Sequence, residues 1–137
     1  MLKVTSQLAA ALDTYTVMAD CGVGEFLWRR RSDKPGPPYV GGNLYSLMDE
    51  RCSPPDEMTA ELFAAFCQWA RWYMSTDSHN TEIPRNINWV EFNAEGKRLA
   101  QRLKRELGNS ALVVYAKAWD DPTKNEGRYS EITADDV

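Results

Sequence analysis

The chain has 137 residues, 43% of them hydrophobic and 26% charged, enough for one ordinary core and unlike a disordered or membrane-embedded composition. Its 16 Lys and Arg stand against 20 Asp and Glu, a net charge of -4. Nucleic acid is therefore not expected as the main ligand, because neutralising phosphate takes a dense basic face. The single His and three Cys, with no CxxC, suggest neither a metal site nor a cofactor.

In chain order, residues 6–12 lean toward a short helix. Residues 14–19 (TYTVMA) are β-branched and aromatic enough for a strand, and 25–29 (EFLWR) make a second candidate. Three Pro and three Gly in 32–42 (SDKPGPPYVGG) mark a long loop. Ser53, Pro54 and Asp56 then suit the cap and first turn of a helix running to about residue 75. Leu62, Phe66, Trp69 and Tyr73 fall on one stripe of that helix, while Trp72 projects toward its polar side. A second helix is predicted to open at Asn88, with Glu91 in capping-box register. Its stripe is Trp89, Phe92, Gly96, Leu99, Leu103 and Leu107, and Gly108 is its natural stop. Gly96 inside a helix costs about 1 kcal/mol relative to Ala, which predicts a close approach of another element there. Residues 112–119 (LVVYAKAW) read as a final strand.

The order of elements implies an α+β fold. A small sheet of two to four strands packs against two long amphipathic helices in a single domain covering 1–137. Within it, residues 120–137 form an acidic C-terminal segment that could be extended. The apolar residues Leu62, Phe66, Trp69, Phe92, Leu99 and Leu103 should share one core, because both stripes need burial. Cys21, Cys52 and Cys67 are odd in number, and MLKVTSQLAAALD is a poor signal peptide. Reduced thiols and a cytoplasmic location are the expectation.

No GxSxG, HExxH, GxxxxGK[ST] or GxGxxG string is present. Cys67 lies beside the apolar stripe and reads as packing rather than as half of a thiol dyad with His79. The adjacent acids Asp49–Glu50, Asp120–Asp121 and Asp135–Asp136 point in different directions and suit solvated turns better than general acid–base work. The triplet Arg29, Arg30 and Arg31 suits a solubilising strand end, and the cations of the second helix complement its dipole. No catalytic residue is therefore assigned.

Surface recognition remains. Trp28, Trp72 and Trp119 stand beside charged residues, the composition of a protein–protein hot spot. The ordinary alternative is that each indole caps the core edge with its N–H in water. Asp120, Asp121, Glu126, Glu131, Asp135 and Asp136 outweigh Lys124 and Arg128 in the last segment. Such a segment is either a solubilising tail or a rim that steers a basic partner. The candidate partner-binding residues are Trp28, Trp72, Trp119, Asp120, Asp121, Asp135 and Asp136.

Several strings bring a family into view: MADCGVGEFLWRR, GGNLYSLMDE, ELFAAFCQWARWYMSTD, FNAEGKRLAQRLKRELG and ALVVYAKAW. Together, over about residues 17–119, they resemble small bacterial immunity proteins of polymorphic toxin and type VI secretion systems. The resemblance transfers no catalytic residue. It implies a non-enzymatic cytosolic binder that blocks an antibacterial effector toxin, with a basic toxin domain as the partner expected of an acidic chain. Oligomeric state is left open. The alternatives are another small regulatory or phage-encoded inhibitor, for example of a host defence complex, and a small enzyme whose acids and arginines converge only in three dimensions.

Overall fold

The computed structural model describes residues 12–20, 25–32, 42–46, 58–76 and 86–133. Strands β1 (Asp13–Val17), β2 (Glu25–Arg30), β3 (Gly42–Ser46), β4 (Ala111–Ala116) and β5 (Tyr129–Ile132) form one sheet in the order β3-β2-β1-β4-β5. The β1–β4 pair is parallel and the other pairs are antiparallel. A parallel neighbour requires a crossover. Here the crossover contains both helices, α1 (Ala60–Ser75) and α2 (Trp89–Leu107).

Strand alternation sets the layers. Tyr15 and Val17, with their register partners Val113 and Tyr115, join the helices in one core. Thr14, Thr16, Val114 and Ala116 alternate onto the other sheet face and are buried as well. All six residues expected to share the core do so. Trp69 stacks on Phe92 with ring centroids 4.6 Å apart, and its Nε1 donates to the Phe92 carbonyl oxygen at 3.0 Å. One indole thus supplies both an apolar contact between the helices and a satisfied polar atom.

Both helix starts are capped, one where expected. The Asn88 side chain accepts from the Glu91 N–H at 3.2 Å, and Gly108 closes α2 with φ at +65°. Helix α1, by contrast, begins at Ala60 rather than at the Ser53 cap, which lies outside the described residues. Thr59 is the cap, its hydroxyl oxygen accepting from the Leu62 N–H at 3.2 Å. Glu106, from the far end of α2, accepts from the Thr59 N–H at 2.7 Å and from its hydroxyl at 3.0 Å. A carboxylate at a helix N-terminus satisfies amides that have no intrahelical partner and complements the dipole.

Gly96 is where α2 meets both neighbours. A β-carbon there would lie 2.6 Å from the Trp69 ring and closer still to the Tyr115 ring. Replacing Gly96 with Ala is therefore expected to destabilise the fold by about 1–3 kcal/mol through overpacking, against about 1 kcal/mol gained in helix propensity. Urea unfolding checks the sign, and a stabilised variant would reject the close approach.

The sheet has five strands, not two to four. β3 forms in the GGNLYS string beyond the expected long loop, and β5 forms inside the expected acidic tail. Residues 120–133 are therefore not an extended tail: Ile132 is buried against the core, and β5 pairs with β4. β4 in turn ends at Ala116, so Trp119 stands on a turn instead of a strand. Among the described residues, no helix is long and apolar enough to cross a membrane.

Candidate protein-binding site

The two helices run antiparallel, so the C-terminal half of α1 and the first turns of α2 share one end of the domain. The β4–β5 connection closes over that end. Tyr73 of α1 donates its hydroxyl to Asp120 Oδ1 at 2.7 Å, and Asn93 of α2 donates its amide to Asp121 Oδ2 at 2.8 Å. The Asn93 carbonyl oxygen in turn accepts from the Tyr115 hydroxyl at 2.6 Å. The adjacent acids Asp120 and Asp121 therefore tie the loop to different helices.

Two exposed apolar side chains belong to these elements. Trp119 is 49% exposed and Val90 is 80% exposed. Val90 lies three residues before Asn93, hence on a neighbouring turn of the same helix. Lys124 donates to the Trp119 carbonyl oxygen at 2.6 Å, and its ammonium sits 6.0 Å from the indole centroid, a cation–π placement that covers one ring face. Beneath them, Trp72, Tyr73, Trp89 and Phe92 pack as an aromatic cluster.

The seven residues singled out from sequence are not all equivalent. Trp119 is the most exposed of the three tryptophans. Trp72, expected on the polar side of its helix, is half-buried with its ring edge-on to Phe92 at 5.1 Å, because the facing helix reaches round to it. Trp28 lies on the sheet face turned from the helices, where its Nε1 donates to the Met18 carbonyl oxygen at 3.0 Å. Its indole is thus tied to the backbone just past β1, on the face opposite the helices. Asp135 and Asp136 lie outside the described residues.

Asp121 is a correction to the picture of an exposed acidic rim, since it is only 1% exposed. Its Oδ1 accepts from the N–H and the hydroxyl of Thr123, at 2.7 and 2.8 Å. Burial alone would raise the Asp121 pKa, but the hydrogen bonds from Asn93 and Thr123 and the charge of Lys117 hold it below the ordinary 3.8. Burial, and then the Asp121 charge, push the Tyr115 phenol well above its usual range.

A carboxyl whose pKa is lowered on folding stabilises the protein above its unfolded value of 3.8. That contribution is lost as pH falls through the lower folded value. Wild-type stability is therefore expected to drop in the acid range more steeply than that of Asp121→Asn. Parallel acid limbs in chemical unfolding would contradict it.

Val90, Asn93, Lys117 and Lys124 were not singled out from sequence. Asn93 did carry a signal, a polar side chain between Phe92 and Gly96 on an otherwise apolar flank. Among the described residues, no three His, Cys, Asp or Glu side chains converge as metal ligands.

No curated protein and no solved structure matches the chain. Residues 14–118, from β1 through both helices to just past β4, match the Serratia CdiI immunity protein-like family. The chain belongs to this family, the immunity proteins of contact-dependent inhibition toxin systems.

Proposed function

We propose that the chain neutralises its toxin by direct occlusion, using the end of the domain that carries Trp119 as the centre of the contact. The observation that supports this most is Trp119 itself, a half-exposed indole held on a hydrogen-bonded loop. Large rigid aromatics that lose water on contact dominate interface energetics. Trp119 and the loop residues after it lie beyond the matched 14–118, so their specificity is read from this chain's own side chains.

The partner in this reading is a basic toxin domain, met in the cytoplasm by a stoichiometric binder that performs no chemistry and needs no cofactor. Asp120, next to Trp119, supplies steering charge, to which the sequence adds Asp135 and Asp136, whereas the buried Asp121 serves the loop. Trp72 contributes from below, through the aromatic cluster, and Trp28 belongs to a separate face.

Rim charges act on association rate and make it salt-dependent. Neutralising Asp120, Asp135 and Asp136 to Asn is thus expected to slow association with its partner toxin domain at low salt and to change it little at high salt. Stopped-flow binding reads this directly. A wild-type rate across the salt range would remove these acids from the binding face. In cells producing that toxin domain, the wild-type chain should restore growth; failure to protect would overturn the assignment of this toxin as the partner.

A further inference from the structure

We infer that Lys117 is a positioning residue for recognition, a half-buried cation around which the loop bearing Trp119 is folded. This rests on the reading that Trp119 meets the partner. Lys117 follows β4 directly, and its ammonium has three N–H donors. They meet the Glu126 carbonyl oxygen at 2.7 Å, the Thr123 hydroxyl at 3.1 Å and the Thr123 carbonyl oxygen at 3.2 Å. All three acceptors come from the loop itself, so the ammonium gathers loop oxygens much as a bound metal ion would.

The counter-charge is built in. The Thr123 hydroxyl accepts from Lys117 and donates to Asp121, and Asp121 is anchored to α2 through Asn93. A continuous chain of polar contacts therefore runs from the sheet, through the loop, to the helix. Three turn hydrogen bonds complete the shape: the Asp121 N–H to the Ala118 carbonyl, the Lys124 N–H to Asp121 and the Glu126 N–H to Thr123. Gly127, with φ at +67°, lets the backbone turn into β5. Without such a frame, ordering the loop on contact would cost the complex affinity; with it, that cost is met during folding. The residue that reaches the partner is Trp119, and the residue that fixes where Trp119 stands is Lys117.

The test is a double-mutant cycle on binding of the purified partner toxin domain, with Lys117→Met and Trp119→Ala singly and together. Lys117→Met keeps the aliphatic stem and removes the charge. It is expected to weaken binding about tenfold, the scale set by re-ordering a few side chains. In the Trp119→Ala background it should add less than about twofold, because it acts through the indole.

Amide hydrogen exchange on the unbound Lys117→Met chain should speed up at Asp121, Lys124 and Glu126 and stay unchanged in α1 and α2. Thr123→Val, which removes the shared hydroxyl and keeps the volume, should reproduce both effects and stands in if Lys117→Met does not fold. If Trp119→Ala binds as wild type, the reading of the site is overturned, and the exchange data still decide whether Lys117 frames the loop. If Trp119→Ala weakens binding while Lys117→Met does not, or if the two effects add, the inference about Lys117 is overturned. Unchanged loop exchange in the variants also overturns it.

Discussion

Replacing Phe66 with Ala is expected to cost the fold about 3–5 kcal/mol, the scale of a fully buried aromatic truncated to a methyl group. Phe66 has no solvent exposure, and its ring stacks on Phe26 of β2 with centroids 5.7 Å apart. It stands where α1 crosses the sheet, among side chains fixed from both layers, so the surroundings have little freedom to close the void. Leu99 on α2 is equally buried, and its truncation to Ala should cost about 2–5 kcal/mol by the same logic. Both losses should appear in urea unfolding as a lower midpoint with an unchanged slope. Wild-type midpoints in both variants would reject the packing of the two helices on one core.

The second large effect concerns the complex. Trp119→Ala is expected to shorten the lifetime of the toxin complex by about 30-fold or more, corresponding to about 2 kcal/mol, the threshold of a hot-spot residue. Association should change little, because a central aromatic acts after encounter. Trp119 lies outside the core cluster and is half-exposed, so the unfolding midpoint of the unbound chain should stay near wild type. Trp72→Ala should differ in that respect. Its indole packs on Phe92, so it should lower stability and lifetime together. Dissociation kinetics of the three proteins, set beside their unfolding curves, separate these expectations. An unchanged lifetime for Trp119→Ala would move the binding face elsewhere.

The helices were legible in the sequence because burial imposes a 3.6-residue period. Leu62, Phe66, Trp69 and Tyr73 on one helix, and Phe92, Leu99 and Leu103 on the other, show it without help from distant residues. Asn88 and Gly96 were legible for a similar reason, since a cap and a tight approach leave local marks. The true start of α1 was not. Thr59 is followed by Ala60 and Glu61, an unremarkable string, and the cap is completed by Glu106, 47 residues away. β5 was hidden because a four-residue edge strand with one buried side chain, Ile132, has no period to read. Trp119 announced itself by standing next to Asp120, but its neighbour Asp121 misled. A buried carboxylate and a solvated one look alike in sequence, and only Asn93 and Thr123 distinguish them.

The most direct measurement is a titration of the purified partner toxin domain with this chain, with toxin activity read at each addition. Direct occlusion predicts a linear loss of activity that ends at a fixed stoichiometric ratio, and full return of activity when the complex is taken apart. Loss of activity at a small fraction of that ratio, persisting after separation, would show that the chain modifies the toxin instead of covering it. Full toxin activity in the presence of excess protein would contradict neutralisation by this chain altogether.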